Sequence, residues 1–214
     1  MPPKPPRRTR ERILETALTM FNQFGEPTVA TTSIAFEMGI SPGNLYYQYH
    51  SKEQIVADLF AEFRREIETT LAAPEKRLPN AEDCWLYLHL VFEAIWKYRF
   101  VYRDINDLVS RYHVIEVQFR RILAHKVRVA EQILAGLVTG QQMHATPDDI
   151  ATLAQNIVLV ATYWMSFEFA LNPRAPQDDK TLARGAFHVI SLAAPYLEPR
   201  ERALFDDLAK RYLA

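Results

Sequence analysis

Residues 31–52, TTSIAFEMGISPGNLYYQYHSK, decide the fold of this chain of 214 residues. Ile34, Ala35 and Met38 put apolar groups on one side of a short helix. Gly39 supplies a residue that can end that helix in the left-handed conformation, and Ile40 follows as an apolar plug. Ser41 is then an N-cap and Pro42 a first helical residue, so a second short helix begins at once. Two helices joined by a tight turn containing glycine make a helix-turn-helix, whose second helix enters the major groove of DNA. The expected ligand of this stretch is therefore double-stranded DNA.

Upstream, Thr9 is the expected cap of a helix with Ile13, Leu14, Ala17, Leu18, Phe21 and Phe24 on one face and Gly25 at its end. Downstream, Ser51 caps a long helix carrying Ile55, Val56, Leu59, Phe60, Phe63, Ile67 and Leu71. Pro74 and Pro79 bracket a break, and Asn80 with Asp83 opens a helix to about Tyr98. A short element around Tyr102–Tyr112 precedes a helix from about Ile115 to Gln141. Thr146-Pro147-Asp148-Asp149 combines a cap, a proline at the first position and acids at the positive helix end, and that helix should run to Leu171. Helices over about Lys180–Ala194 and from Pro199 onward complete the chain. Six glycines and little strand-type alternation agree with an all-α fold.

A net charge of −1 is uneven along the sequence. In residues 1–12, Lys4, Arg7, Arg8, Arg10 and Arg12 face only Glu11, a balance of +4, so the remainder sums to −5. A basic end suits a nucleic-acid contact. The proline-rich start carries no apolar stretch of the secretory kind, and one cysteine, Cys84, fits a reducing cytoplasm. Residues 150–167 are 18 uncharged positions in succession. Thr152, Gln155, Asn156, Thr162 and Ser166 interrupt them, which argues against a membrane span and for a helix buried on both sides, one against its own domain and one against a partner subunit.

Residues 9 to about 56 resemble the DNA-binding domain of the tetracycline-repressor (TetR) family. The matching residues are Arg12-Ile13-Leu14, Ala17, Phe21, Gly25, Ile34-Ala35, Gly39-Ile40-Ser41, Gly43-Asn44-Leu45-Tyr46-Tyr47 and Ser51-Lys52-Glu53. The resemblance implies a homodimer of Ω-shaped protomers on a palindromic operator. Each would comprise a disordered basic arm (residues 1–8), a three-helix reading head (9–54) and, joined by the long fourth helix, a larger effector-binding and dimerisation domain (55–214). Helices at about 147–171 and 178–195 would pair as a four-helix bundle. Binding of a small molecule would move the fourth helix and release DNA, which is the behaviour of a repressor.

Carried over position by position, the family pattern makes Thr31 the cap of the second helix and a phosphate ligand, with Thr32 exposed beside it. Ser41, Pro42, Gly43 and Asn44 would face the groove, with the Asn44 amide suited to adenine. Tyr46 would chiefly pack, while Tyr47 and Lys52 would reach phosphates. Gln48 replaces the family's usual histidine and Ala30 a common threonine. Both departures shift the expected affinity toward Arg7, Arg8 and Arg10.

The second domain is rich in rings. Trp85, Phe92, Trp96, Tyr102, Tyr112, Phe119, Tyr163 and Phe167 are the candidate walls of a pocket for an apolar or aromatic effector, against the alternative that they fill the core. Tyr102-Arg103-Asp104 is the expected site of a buried polar network. His89 and Glu93 lie four apart on a helix without a third metal ligand, and Cys84 sits at a helix start without a histidine partner. No catalytic residue, metal or cofactor is expected. The competing functions are a helical ligand-binding or scaffold protein without an operator, and an all-α enzyme.

Overall fold

The computed structural model describes residues 6–72, 80–173 and 179–213. The start of the basic arm (1–5), the break at Pro74 and Pro79, and most of the Pro176–Lys180 connection lie outside these residues. Among the described residues there are eleven α-helices, one 3-10 turn and no strand. They are α1 (Pro6–Phe24), α2 (Thr31–Glu37), α3 (Pro42–Gln48), α4 (Lys52–Thr70), α5 (Ala81–Lys97), α6 (Arg99–Arg103), α7 (Ile105–Arg111), α8 (His113–Thr139), α9 (Pro147–Leu171), α10 (Asp179–Ala193) and α11 (Pro199–Leu213). The first helix begins at Pro6 rather than after Thr9. Proline suits a first turn because its fixed φ is already helical and its missing N–H is not needed there. Residues 6–8, expected in the disordered arm, are therefore helical.

Two compact units divide the chain. One joins Met1–Arg65 to Tyr98–Phe119, and the other joins Glu66–Lys97 to Arg120–Ala214, so the divisions fall inside α4 and α8. Grouping α6 and α7 with the N-terminal residues differs from a linear split at residue 54.

In the first unit, Ile13, Ala17 and Phe21 of α1 are fully buried with Ile34 and Ala35 of α2 and Ile55, Val56 and Phe63 of α4. Leu45 of α3 and Leu59 of α4 are buried with them. Burial of each of the larger side chains among these is worth about 1.5–3 kcal/mol against exposure. Aromatic edges tie α6 into this core: Phe21 meets Phe100 at 5.4 Å between ring centres, and Phe63 meets Tyr102 at 5.6 Å.

In the second unit, α9 starts with a reciprocal cap. The Thr146 hydroxyl accepts from the Asp149 N–H, and the Asp149 carboxylate accepts from the Thr146 N–H. Leu153, Ala154, Val158, Ala161, Met165 and Glu168 then fall on one buried face. On the other side Leu159, Tyr163 and Phe167 are 57%, 42% and 54% exposed. Within one chain the all-round burial expected of residues 150–167 is thus met on one face only. By length and composition α9 is also the one helix among the described residues able to cross a membrane.

The α9 contact with α10 is held at three points. The Trp164 indole donates to the Thr181 carbonyl at 2.8 Å, and Arg184 grips the Glu168 carboxylate with two nitrogens at 3.2 and 2.9 Å. Gly185 lets the helices approach, because a β-carbon there would lie 2.5 Å from Phe92 and 2.6 Å from Trp164. Gly185→Ala should therefore overpack the contact and cost about 1–3 kcal/mol, read as a lowered midpoint in chemical denaturation with the helical content of the folded protein unchanged.

Candidate nucleic-acid interface and ligand cavity

The reading end of the first unit is built as its sequence directs. Gly39 takes φ +65°, ending α2, and Ser41 caps α3 by accepting from the Asn44 N–H at 3.2 Å with Pro42 at the first position. Leu45 is the buried anchor of α3, which leaves Ser41, Pro42, Gly43, Asn44, Tyr46 and Tyr47 exposed and Gln48 half-buried. Thr31, Thr32, Pro42, Gly43 and Tyr46 line one depression together with His50, which the sequence did not single out. Thr31 is not the cap of α2. That place belongs to Ala30, which makes no side-chain cap bond, so Thr31 is the first helical residue.

Tyr46 does not take the packing role expected of it. Tyr49 is the inward ring, 1% exposed, while Tyr46 is 61% exposed with only an edge contact to His50 at 5.2 Å. Tyr47 is 78% exposed. Tyr49 turns in because its hydroxyl donates to Asp58 at 2.9 Å and accepts from Arg10 at 3.0 Å, with the Arg10 guanidinium 4.4 Å from the ring centre. Burial first, then the bond to Asp58, pushes this phenol up to about 12. Arg10 also pairs with Asp58 at 2.8 Å, so this expected DNA ligand clamps α1 to α4. Arg7 and Arg8 lie on the first turn of α1.

Lys52 also differs from its expected place at a phosphate. Its ammonium donates to the carbonyls of Glu26 and Val29 at 2.8 and 3.0 Å and meets the Glu26 carboxylate at 3.1 Å. Glu26 is fully buried. Arg111 pairs with the same carboxylate, and the Tyr112 hydroxyl donates to it at 2.9 Å. Tyr112 is thereby bound to the reading head and not to a cavity. The expected network at Tyr102-Arg103-Asp104 exists beside it. Arg103 donates to the Phe21 carbonyl at 3.0 Å and to both Asp104 oxygens, while Asp104 accepts from the Glu26 N–H at 3.0 Å. Gly25, at φ +91°, leaves room for this clamp, since a β-carbon would stand 2.8 Å from the Arg103 guanidinium. Tyr102 itself is buried among Phe63 and Phe119, and burial drives its phenol far up.

The second unit holds a cavity of about 160 Å³. Its wall is chiefly aliphatic, from Leu88 and Val91 of α5, Val129, Ile133 and Leu134 of α8, and Val158, Ala161 and Val189 of α9 and α10. Of the eight rings expected there, Trp85 alone lines it among the described residues. Phe92 is core, Trp96 is half-buried away from the wall, Phe119 packs on Tyr102, and Tyr163 and Phe167 lie on the exposed face of α9. Residues the sequence reading missed include Lys126, 5% exposed, and Glu201, half-buried; both line the cavity. Lys126 could have been found, because Ile115, Phe119, Ile122 and Val129 set a spacing of three and four that puts position 126 inward.

Cys84 lines the same cavity, and burial pushes its thiol up to about 12, opposite to the lowering expected at a helix start. His89 pairs with Glu93 at 3.2 Å on an exposed surface, and no group of three potential metal ligands occurs among the described residues.

Two outcomes follow from these sites. Glu26→Gln should cost about 2–3 kcal/mol, somewhat less than a fully buried pair because Lys52 and Arg111 keep partial access to water; thermal unfolding of the purified variant reads it. Cys84 should resist iodoacetamide at pH 8 in the folded protein and react once denatured, as followed by intact mass.

Comparison with known proteins covers most of the chain. A family model described as bacterial transcriptional repressor, TetR, matches residues 62–205, and one described as bacterial regulatory proteins, tetR family, matches residues 13–59. A TetR-family transcriptional regulator from Marinobacter aquaeolei is 32% identical, with 96% of this chain and 99% of that one covered and a TM-score of 0.85. The HTH-type transcriptional repressor KstR2 of Mycolicibacterium smegmatis is 36% identical over 61 residues, 28% of this chain and 30% of the relative. The ketosteroid transcriptional regulator KstR2 of Mycobacterium tuberculosis shares the fold at 21% identity, with 89% of this chain and 95% of that one covered and a TM-score of 0.61.

Proposed function

The chain belongs to the TetR family of bacterial transcriptional regulators, and from that premise we propose that it is a cytoplasmic, homodimeric repressor released from a palindromic operator by a small apolar effector. Residues 9–54 are the reading head and 55–214 the effector-binding and dimerisation part in this proposal. The observation that carries it is the exposed end of α3, where Ser41, Pro42, Gly43, Asn44 and Tyr47 are all exposed and Pro42 and Gly43 share a depression with Thr31 and Thr32, above a closed core.

Asn44 is the residue for base contact, because its amide pairs bidentately with adenine. Pro42 and Gly43 offer shape and backbone only, and Thr32, Tyr46, Tyr47 and Gln48 are the candidate phosphate contacts. Arg7 and Arg8 extend the positive end of α1. The exposed row Leu159, Tyr163 and Phe167 on α9 supports dimerisation through α9 and α10, since an apolar helix face of this kind is covered in a stable protein. The aliphatic cavity supports an apolar effector.

Selection of duplexes from a random pool by the purified protein tests this reading. Enrichment of an inverted repeat, with affinity falling steeply as salt rises, is expected; weak and equal binding to all duplexes would refute it. On the enriched site, Asn44→Ala should lose roughly tenfold or more in operator affinity while non-specific binding stays level, a bidentate base contact being worth about 1–3 kcal/mol. Tyr47→Phe should weaken both kinds of binding alike. Phe167→Glu should leave the helical fold intact and shift sedimentation to the monomer.

A further inference from the structure

Residues 31–52 carry two side chains that can be positive, His50 and Lys52, and one acid, Glu37. The Lys52 ammonium is taken by the Glu26 carboxylate and by two carbonyls. Gln48 has no charge to offer. His50 is therefore the one group of this segment able to bring an uncommitted charge to the reading end. It is exposed, and it lines the depression with Thr31, Thr32, Pro42, Gly43 and Tyr46. Its backbone is fixed, because the His50 N–H donates to the Gln54 side chain at 3.0 Å. Its ring makes an edge contact with Tyr46, 5.2 Å between centres. Neither the imidazole nor the Tyr46 hydroxyl has a hydrogen-bond partner among the described residues. No carboxylate lines the depression among those residues. Of the flanking groups, Thr31 and Thr32 of α2 are neutral, and Glu37 closes the far end of that helix. Glu53, in the first turn of α4, is held by its own N–H and the Ser51 hydroxyl.

We propose that His50 contacts a phosphodiester of the bound duplex beside Tyr46, and that the contact is ionic only when the imidazole is protonated. The inference rests on the reading of the exposed end of α3 as the operator-binding surface. Histidine changes its charge between about pH 5 and 8. A phosphate at hydrogen-bond distance favours the charged form. By linkage the duplex is then bound more tightly as pH falls through that range, and the gain is lost as pH rises. An imidazolium donating to phosphate makes a bond roughly twice as strong as a neutral one. It also releases about one counterion from the duplex.

Titration of the selected duplex by fluorescence anisotropy at about pH 6 and about pH 8, each over a salt series, tests the proposal. Wild-type protein should bind roughly tenfold more tightly at the lower pH. Its salt dependence there should be steeper by about one for each head engaged. His50→Gln should lose that gain, and His50→Lys should hold the tight binding at both pH values. His113→Gln removes the other histidine of the first unit, whose imidazole already meets Glu116 at 3.0 Å, and should keep the wild-type pH dependence. The ratio of wild-type to His50→Gln affinity at each pH cancels any effect of pH on the fold. A ratio that does not change with pH would overturn the proposal and leave the DNA-binding reading intact. Binding of no duplex at either pH would overturn both.

Discussion

The arrangement of the reading head depends on one buried carboxylate. Glu26 lies directly after the turn that ends α1, has no exposure, and is met by Lys52 from the start of α4, by Arg111 at the end of α7 and by the Tyr112 hydroxyl. A charge in that place is tolerable only because both of its oxygens are met by donors. In answering them, Lys52 also satisfies the carbonyls of Glu26 and Val29, and Asp104 satisfies the N–H of Glu26. The loop between α1 and α2 is thus fixed from three directions. Since α2 and α3 are only seven residues each, too short to be stable alone, they take their position from this loop and from the apolar core below. A well-placed Asn44 is a consequence of a well-paired Glu26.

The second unit uses a different principle. Its helices meet through close apolar packing, with Gly185 giving the room that Phe92 and Trp164 occupy. A half-buried ion pair, Glu168 with Arg184, and the bond from Trp164 to the Thr181 carbonyl fix the register between α9 and α10. Among the described residues this packing leaves a cavity whose wall is chiefly aliphatic, with Trp85, Tyr87 and Phe205 and the buried Lys126 also on its lining. The outer face of α9 keeps Leu159, Tyr163 and Phe167 exposed in the single chain, and it is this surface that the proposed dimer would cover.

Local signals in the sequence were sufficient wherever a few neighbouring residues fix the backbone. Gly39 and Ser41 with Pro42 mark the turn between α2 and α3, and Thr146 with Asp149 marks the first residue of α9, because each works through bonds to residues three or four positions away. The inward tyrosine was misread since Tyr49 owes its burial to Arg10, 39 residues earlier, and to Asp58 on the next helix. Glu26 likewise has partners 85 and 86 residues distant, beyond any periodic pattern. The rings were misassigned for another reason. Core and ligand pockets both favour large apolar groups, so Phe92, Tyr102 and Phe119 carry no mark of which they serve. The spacing of Ile115, Phe119, Ile122 and Val129 does turn Lys126 inward, a signal that periodicity carries and that went unread.

Hydrogen exchange of the protein with and without an excess of its selected duplex, resolved to short peptides, examines the central claim most directly. The account predicts slowed exchange or added protection over residues 31–32 and 41–48, with the peptides of α5 lining the cavity unchanged. Protection absent from 31–48, or concentrated on α5 and α9 instead, would contradict it.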